Sequence, residues 1–272
     1  MTKMIRKIIL ISIFSILLQT QMLSAGTEGS EELKNSDKDT AEECFEGLSR
    51  AMFKVNHALD KTIFEPVAKG YRALPAPIRR GTGNATDNLR SLLTIPNNLM
   101  QGDFDRAGNT VVRFGINTSV GILGIFDPAT KLGFEDQGKE DFGQTLGAWG
   151  ADSGCYFVLP ILGPTTARDA VGLLGNMLLD PVYHITHNSE IQNGFIGNDN
   201  YSEHNYYYYQ GTDAVDFRAK NIESFDSLES NSIDLYASIK SLYLQNRKQK
   251  ISNSKSTVET QNDSGWEELD TN

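Results

Sequence analysis

The chain has 272 residues, with 35 Asp and Glu against 25 Lys and Arg, for a formal net charge of -10. Its first 25 residues hold three basic side chains and no acidic one, so their removal takes the charge from -10 to -13. So acidic a chain excludes nucleic acid as a partner and excludes simple electrostatic adhesion to anionic headgroups, which leaves apolar contact as the route to any membrane.

Lys3, Arg6 and Lys7 precede an uncharged run from Ile8 to Leu18 and the small residues Ala25 and Gly26. This is the pattern of a secretory signal peptide over residues 1–25. The alternative, an uncleaved anchor, is disfavoured because the run is shorter than the roughly 20 residues that span a bilayer. Residues 26–43 are polar and predict a flexible leader, and residues 251–272 a similar tail, with Trp266 its one large exposed aromatic. About 245 residues then remain, enough for one large domain.

Leu48, Met52, Phe53, Val55, Leu59 and Phe64 recur at helical spacing and predict an amphipathic helix ending before Pro66. Short helices are predicted over 84–93 and 96–101, with Pro96 at a favoured first turn. Asp105 is the expected cap of a helix from Arg106 to about Asn117. The sequence Val-Gly-Ile-Leu-Gly-Ile-Phe follows, a lipid-like stretch interrupted by glycines. Of the 24 glycines, 14 lie from Gly102 to Gly175, which marks the middle third as the working region.

Within that third, residues 141–169 are apolar and rich in Gly and Pro. They read as unsuited to a regular helix or strand and better suited to irregular backbone beside an apolar phase. Thr165 or Thr166 is expected to cap a helix from Arg168 to Leu179, stopped at Pro181. The run Tyr206 to Tyr209 leads into a long helical pattern to Leu228, and a second helix is predicted from Ile233 to about Lys250. These two are expected to form an antiparallel hairpin. Alternating strand patterns are scarce, so the domain is predicted to be mainly α.

Chemistry is sparse. His184 and His187 have metal-ligand spacing but no third ligand nearby, and Ser153 lacks a nucleophile elbow, so neither a metal site nor a catalytic centre is predicted. No cofactor is expected. Two cysteines, Cys44 and Cys155, suggest one disulfide in an exported chain, with two buried free thiols as the alternative. Arg113, Asn117, Asp141, Gln144, Arg168 and Asp169 stand in apolar surroundings, where unpaired burial costs several kcal/mol. They should pair with one another, for example Arg168 with Asp141, or line a polar passage.

Several stretches resemble the VacJ/MlaA family of outer-membrane lipoproteins. They are Ser-Arg-Ala-Met-Phe-Lys-Val-Asn-His-Ala-Leu-Asp at 49–60, Pro-Val-Ala-Lys-Gly-Tyr-Arg at 66–72 and Asn-Asn-Leu-Met-Gln-Gly at 97–102. Arg-Phe-Gly-Ile-Asn-Thr at 113–118, Gly-Ile-Phe-Asp at 124–127 and Asp-Phe-Gly-Gln-Thr-Leu-Gly at 141–147 follow. Leu-Pro-Ile-Leu-Gly-Pro-Thr-Thr-Ala-Arg-Asp at 159–169, Ser-Ile-Asp-Leu-Tyr-Ala and Tyr-Leu-Gln-Asn-Arg complete the set. Each is weak alone; in this order, over roughly 44–248, they are specific.

The resemblance implies a single ring-like helical domain, at 44–250, with amphipathic helices in the plane of the membrane and Gly/Pro-rich irregular segments between them. It implies a non-enzymatic protein that removes phospholipid from the outer leaflet and maintains lipid asymmetry. The implied partners are phospholipid, an outer-membrane porin trimer and a periplasmic carrier protein. Arg113, Asn117, Asp141, Gln144, Arg168 and Asp169 would then line a polar channel. Phe114, Ile122, Leu123, Ile125 and Phe126 would sit among acyl chains, each contributing roughly 1.5 to 3 kcal/mol. The alternative is a structural or porin-bracing envelope protein that moves no lipid.

Two departures from the family pattern stand out. No Cys follows the signal peptide, so the protein is expected at the periplasmic face of the outer membrane without a lipid anchor. Cys44 and Cys155 each occupy a position where the family usually has Pro, which is most simply explained by a disulfide between them.

Overall fold

The computed structural model describes residues 41–187 and 204–253, all within one unit, Asp39–Asn272. The predicted signal peptide at 1–25, most of the predicted leader and the predicted tail with Trp266 lie outside the described residues. The mainly α expectation holds. Helix α1, Glu46–Leu59, carries the predicted apolar stripe but does not end before Pro66. It passes through a π-helical turn, Asp60–Phe64, into α2, Glu65–Arg72. The turn reconciles the helix with a proline that has no N–H to donate: the Glu65 N–H reaches back five residues to the Asp60 carbonyl, and Pro66 falls in the first turn of α2.

The two short helices predicted after it are one, α3, Ala76–Gln101, with Pro96 inside. Pro96 removes one ladder bond, while the Asn97 side chain donates to the Leu93 carbonyl at 2.8 Å in the same turn. Helix α4, Phe104–Ser119, starts two residues before the predicted position because Asp103, not Asp105, is the cap and accepts from the Arg106 N–H at 3.0 Å. A short α5, Pro128–Lys131, follows.

The stretch 141–169 corrects the expectation of irregular backbone. Asp141 caps α6, Phe142–Ala148, and an antiparallel hairpin pairs β1, Tyr156–Leu159, with β2, Gly163–Thr166. Thr166 then caps α7, Ala167–Leu179. The glycines that argued against structure allow close packing instead: a Cβ on Gly172 of α7 would stand 2.5 Å from the Gly143 nitrogen of α6.

Helix α8, Pro181–His187, ends the first described segment. The long pattern after Tyr206 divides at Asn221 into α9, His204–Lys220, and α10, Ile222–Asn231; α11 runs Leu235–Asn253. The expected hairpin does not form along α9, which packs on α2 and α3; α11 touches α10 but packs mainly on α6 and β2. Packing partners therefore close on themselves, in the order α3, α6, α11, β2, β1, α1, the π-turn, α2, α9 and back to α3.

Two small apolar clusters hold this circuit. Ala41, Tyr156, Val158 and Tyr236 form one, which shows that the leader is structured by Ala41, and Ala68, Ala219 and Ile222 form the other. Cys44 and Cys155 are disulfide-bonded with Cα atoms 5.5 Å apart. The Tyr156 N–H donates to the Glu42 carbonyl beside the bond, so the amino-terminal arm lies along β1.

Candidate functional site

Burial in this molecule runs against the usual order. After Tyr156, the largest fully buried side chains are Gln144, Asn97, Asn98, Thr94 and Thr145. Large apolar residues such as Phe104, Val120, Leu132, Leu162 and Leu178 lie on the surface. Among the described residues no helix is long and apolar enough to cross a membrane. Many exposed large apolar side chains around a polar interior reverse the order expected of a domain bathed wholly in water.

The polar interior is built along α3 and α6. Thr145 Oγ1 donates to Asn97 Oδ1 at 2.7 Å, and Gln101 Nε2 donates to Thr145 Oγ1 at 3.0 Å and to Glu140 Oε2 at 3.1 Å. Burial pushes the Glu140 carboxyl above its ordinary range, against the hydrogen bond from Gln101 and the charge of Arg106. Asn98 Oδ1, Gln101 Oε1 and Gln144 Oε1 are buried acceptors with no hydrogen-bond partner in the described residues.

The six polar residues predicted as a channel fall into two groups. Asp141, Gln144, Arg168 and Asp169 converge, but the expected Arg168–Asp141 pair does not form. Arg168 Nε stands 3.1 Å from Asp169 Oδ1, and the partner of Asp141 is Arg247 of α11. Arg247 donates to Asp141 Oδ2 at 2.6 Å and Oδ1 at 3.0 Å, and to Asp169 Oδ1 at 2.8 Å. Tyr243 donates to the other Asp169 oxygen at 2.6 Å. Burial alone would raise the Asp141 carboxyl, but the hydrogen bonds and charge of Arg247 outweigh it and hold the group at about 2. Asp169 is depressed by the same contest. This group ties α6, α7 and α11 together.

Arg113 and Asn117 form the second group on α4. Arg113 Nη2 lies 3.1 Å from Asp127 Oδ2, Asn117 Nδ2 donates to Asp127 Oδ1 at 3.0 Å, and Arg113 also donates to the Phe134 carbonyl. Both side chains face a cleft of about 110 Å³ between α3, α4 and the segment after α5. Asp87 and Asn88 enter it from α3, and Asp136 and Lys139 close it from the opposite side. None of these four was singled out from sequence, where isolated polar residues on an amphipathic helix read as a solvated face. Asp127 and Arg247 carried a signal, since each lies within a stretch that carried the family resemblance.

The predicted lipid-contacting residues form the tight turn after α4. Ile122, Leu123, Ile125 and Phe126 are exposed, Leu123 at 71%, while Phe114 is half-buried on α4. Ile122 and Leu123 have φ of 55° and 56°, a left-handed conformation that costs such side chains of order 1–3 kcal/mol each. Gly124, at φ 88°, allows the turn to press on α3, because a Cβ there would stand 2.5 Å from Asn88 Cβ. His184 and His187 do not share a ligand site: His184 Nε2 is 2.8 Å from the Leu178 carbonyl and His187 stacks on Tyr183 at 4.1 Å.

A family profile described as MlaA lipoprotein matches residues 41–250. An uncharacterized protein of Rickettsia prowazekii is 37% identical over 146 residues, 53% of this chain and 58% of that protein, so the match spans little more than half of that relative's length. The intermembrane phospholipid transport system lipoprotein MlaA of Haemophilus influenzae is 31% identical over 228 residues, 81% of this chain and 84% of that protein. Its Escherichia coli namesake is 34% identical over 157 residues, 56% and 60% of the respective chains. A solved structure, from work on the structural basis for maintenance of bacterial outer membrane lipid asymmetry, superposes with a TM-score of 0.62 at 27% identity, covering 77% of this chain and 98% of that one. With more than three quarters of its length matched by the family profile, and with fold and sequence in agreement, the chain belongs to the MlaA lipoprotein family.

Proposed function

We propose that this protein is a non-enzymatic phospholipid-translocating component of the outer membrane. It takes mislocalised phospholipid from the outer leaflet and passes it to a periplasmic carrier, which maintains lipid asymmetry. The observation that carries this reading is the reversed burial order, with Gln144, Asn97, Asn98 and Thr145 inside and the apolar turn at Ile122–Phe126 outside. An exterior of that kind is stable when set among acyl chains, and a polar interior lowers the cost of moving a charged headgroup past them. The unpaired acceptors on Asn98, Gln101 and Gln144 add to the polarity of that interior.

The helices are read as lying in the plane of one leaflet, with the periplasmic carrier and a porin trimer as protein partners, in keeping with the resemblance. The apolar exterior would hold the domain at the bilayer, and both sulfurs of Cys44 and Cys155 are committed to a structural bond. Deleting the gene is expected to raise outer-leaflet phospholipid, measured by an impermeant headgroup-labelling reagent. Restoration should require intact Asp141 and Leu123. A deletion strain with unchanged outer-leaflet phospholipid but lost porin stability would instead support a bracing role.

A further inference from the structure

The polar cleft and the apolar turn share a wall. Asn84 Nδ2 donates to the Ile125 carbonyl at 3.1 Å, Gly124 packs on Asn88, and Asn88 Nδ2 donates to Thr118 Oγ1 at 2.9 Å. A molecule with its polar end in the cleft therefore has its apolar end beside Ile122 and Leu123. A detached polar solute would use only half of that arrangement.

The charges in the cleft are unequally engaged. Arg113 is committed to Asp127, to Thr130 Oγ1 at 2.9 Å and to the Phe134 carbonyl. Lys139 is not so held: its Nζ stands 3.7 Å from Asp87 Oδ1 and 3.6 Å from Asp136 Oδ2, ion pairs too long to be hydrogen bonds. Both carboxylates are nearly half exposed, at 43% and 47%. Two carboxylates from opposite walls thus converge on one loosely held ammonium. Such a triad exchanges its cation at little cost, because no well-made hydrogen bond is broken.

We propose that this cleft binds the zwitterionic headgroup of an aminophospholipid, a phosphodiester carrying a primary ammonium. The ligand's ammonium, with three N–H donors, replaces Lys139 between Asp87 and Asp136, and the freed Lys139 takes the phosphodiester. A headgroup with a phosphodiester and no amine gains Lys139 but leaves the two carboxylates uncompensated, so it is disfavoured. The assignment rests on the phospholipid-handling reading above and specifies the headgroup.

The test equilibrates the purified full chain with mixed micelles holding equal phosphatidylethanolamine and phosphatidylglycerol, and then measures co-purified lipid by mass spectrometry. Wild type is expected to retain phosphatidylethanolamine over phosphatidylglycerol by about tenfold, the effect of one charge-assisted hydrogen bond. Asp87→Asn, at a half-buried position and checked by unchanged melting, is expected to bring the ratio close to one, whereas Lys139→Gln is expected to weaken retention of both lipids while keeping the preference. Equal retention by wild type, or an unchanged ratio in Asp87→Asn, overturns the cleft assignment. So does tighter binding of soluble phosphorylethanolamine than of the lipid. An unaltered outer leaflet in the deletion strain would instead remove the transport reading, so the two failures are separable.

Discussion

Arg247 is the side chain on which two buried carboxylates depend, and Arg247→Met removes its charge while keeping most of its stem. Asp141 is held at about 2 against an ordinary 3.8, and at about 1.4 kcal/mol per tenfold this is about 2 kcal/mol at neutral pH. Because the folded carboxyl is depressed, that stability is fully present above about pH 4 and is lost as pH falls toward 2. Loss of the cation also takes one of two guanidinium partners from Asp169, which keeps Arg168, and breaking a buried pair from one side costs about 3–5 kcal/mol. In the variant burial outweighs what is left around Asp141, which raises both carboxyls, Asp141 the more, and reverses the sign of the pH effect. Guanidinium unfolding in mild detergent, followed by circular dichroism, should show wild type nearly level between pH 7.5 and pH 4.5. The variant should be weakened by several kcal/mol at pH 7.5 and should regain part of that at pH 4.5 as the carboxyls protonate. A variant that loses less than about 1 kcal/mol, or grows weaker still on acidification, would refute the assigned role.

Leu123→Asp is expected to leave melting unchanged, since the side chain is exposed, and to weaken vesicle partitioning by about 2 kcal/mol, roughly 30-fold in a flotation assay. Gly124→Ala should destabilise by about 2 kcal/mol or more, since it combines a left-handed backbone with a clash against Asn88, read as a lowered denaturation midpoint. Cys155→Ser opens a covalent loop between residues 111 apart and should cost about 2–5 kcal/mol, with reductant lowering the melting temperature of wild type and not of the variant.

Helical periodicity at Leu48–Phe64 and the threonine start of the helix at Thr166 could be read from the chain because they are local. Pro96 misled because a proline inside a helix and one at its start look alike unless the partner of the missing N–H is known. The Gly-rich stretch misled for a related reason: Gly143 and Gly172 are small so that α6 and α7 can touch, a contact made across almost 30 residues. Of the candidate site, Asp141, Gln144 and Asp169 stood out as polar residues in apolar surroundings, but Arg247 lies in an ordinary charged helix. Its role exists only once α11 is laid across α6. Asp87, Asp136 and Lys139 were hidden in the same way, as three surface charges that tertiary folding brings to one cleft.

The closed packing order has a consequence for biogenesis. A chain made from its amino end presents Asp141 106 residues before the cation that neutralises it, and Glu43 nearly 200 residues before Lys240, its partner at 2.7 Å. Until α11 has been delivered, α6 carries an unpaired acid, and Asp169 of α7 has only its neighbour Arg168. The last helix is thus the keystone of assembly, and truncations that spare every residue of the cleft but stop short of Arg247 should leave a client for chaperones and proteases.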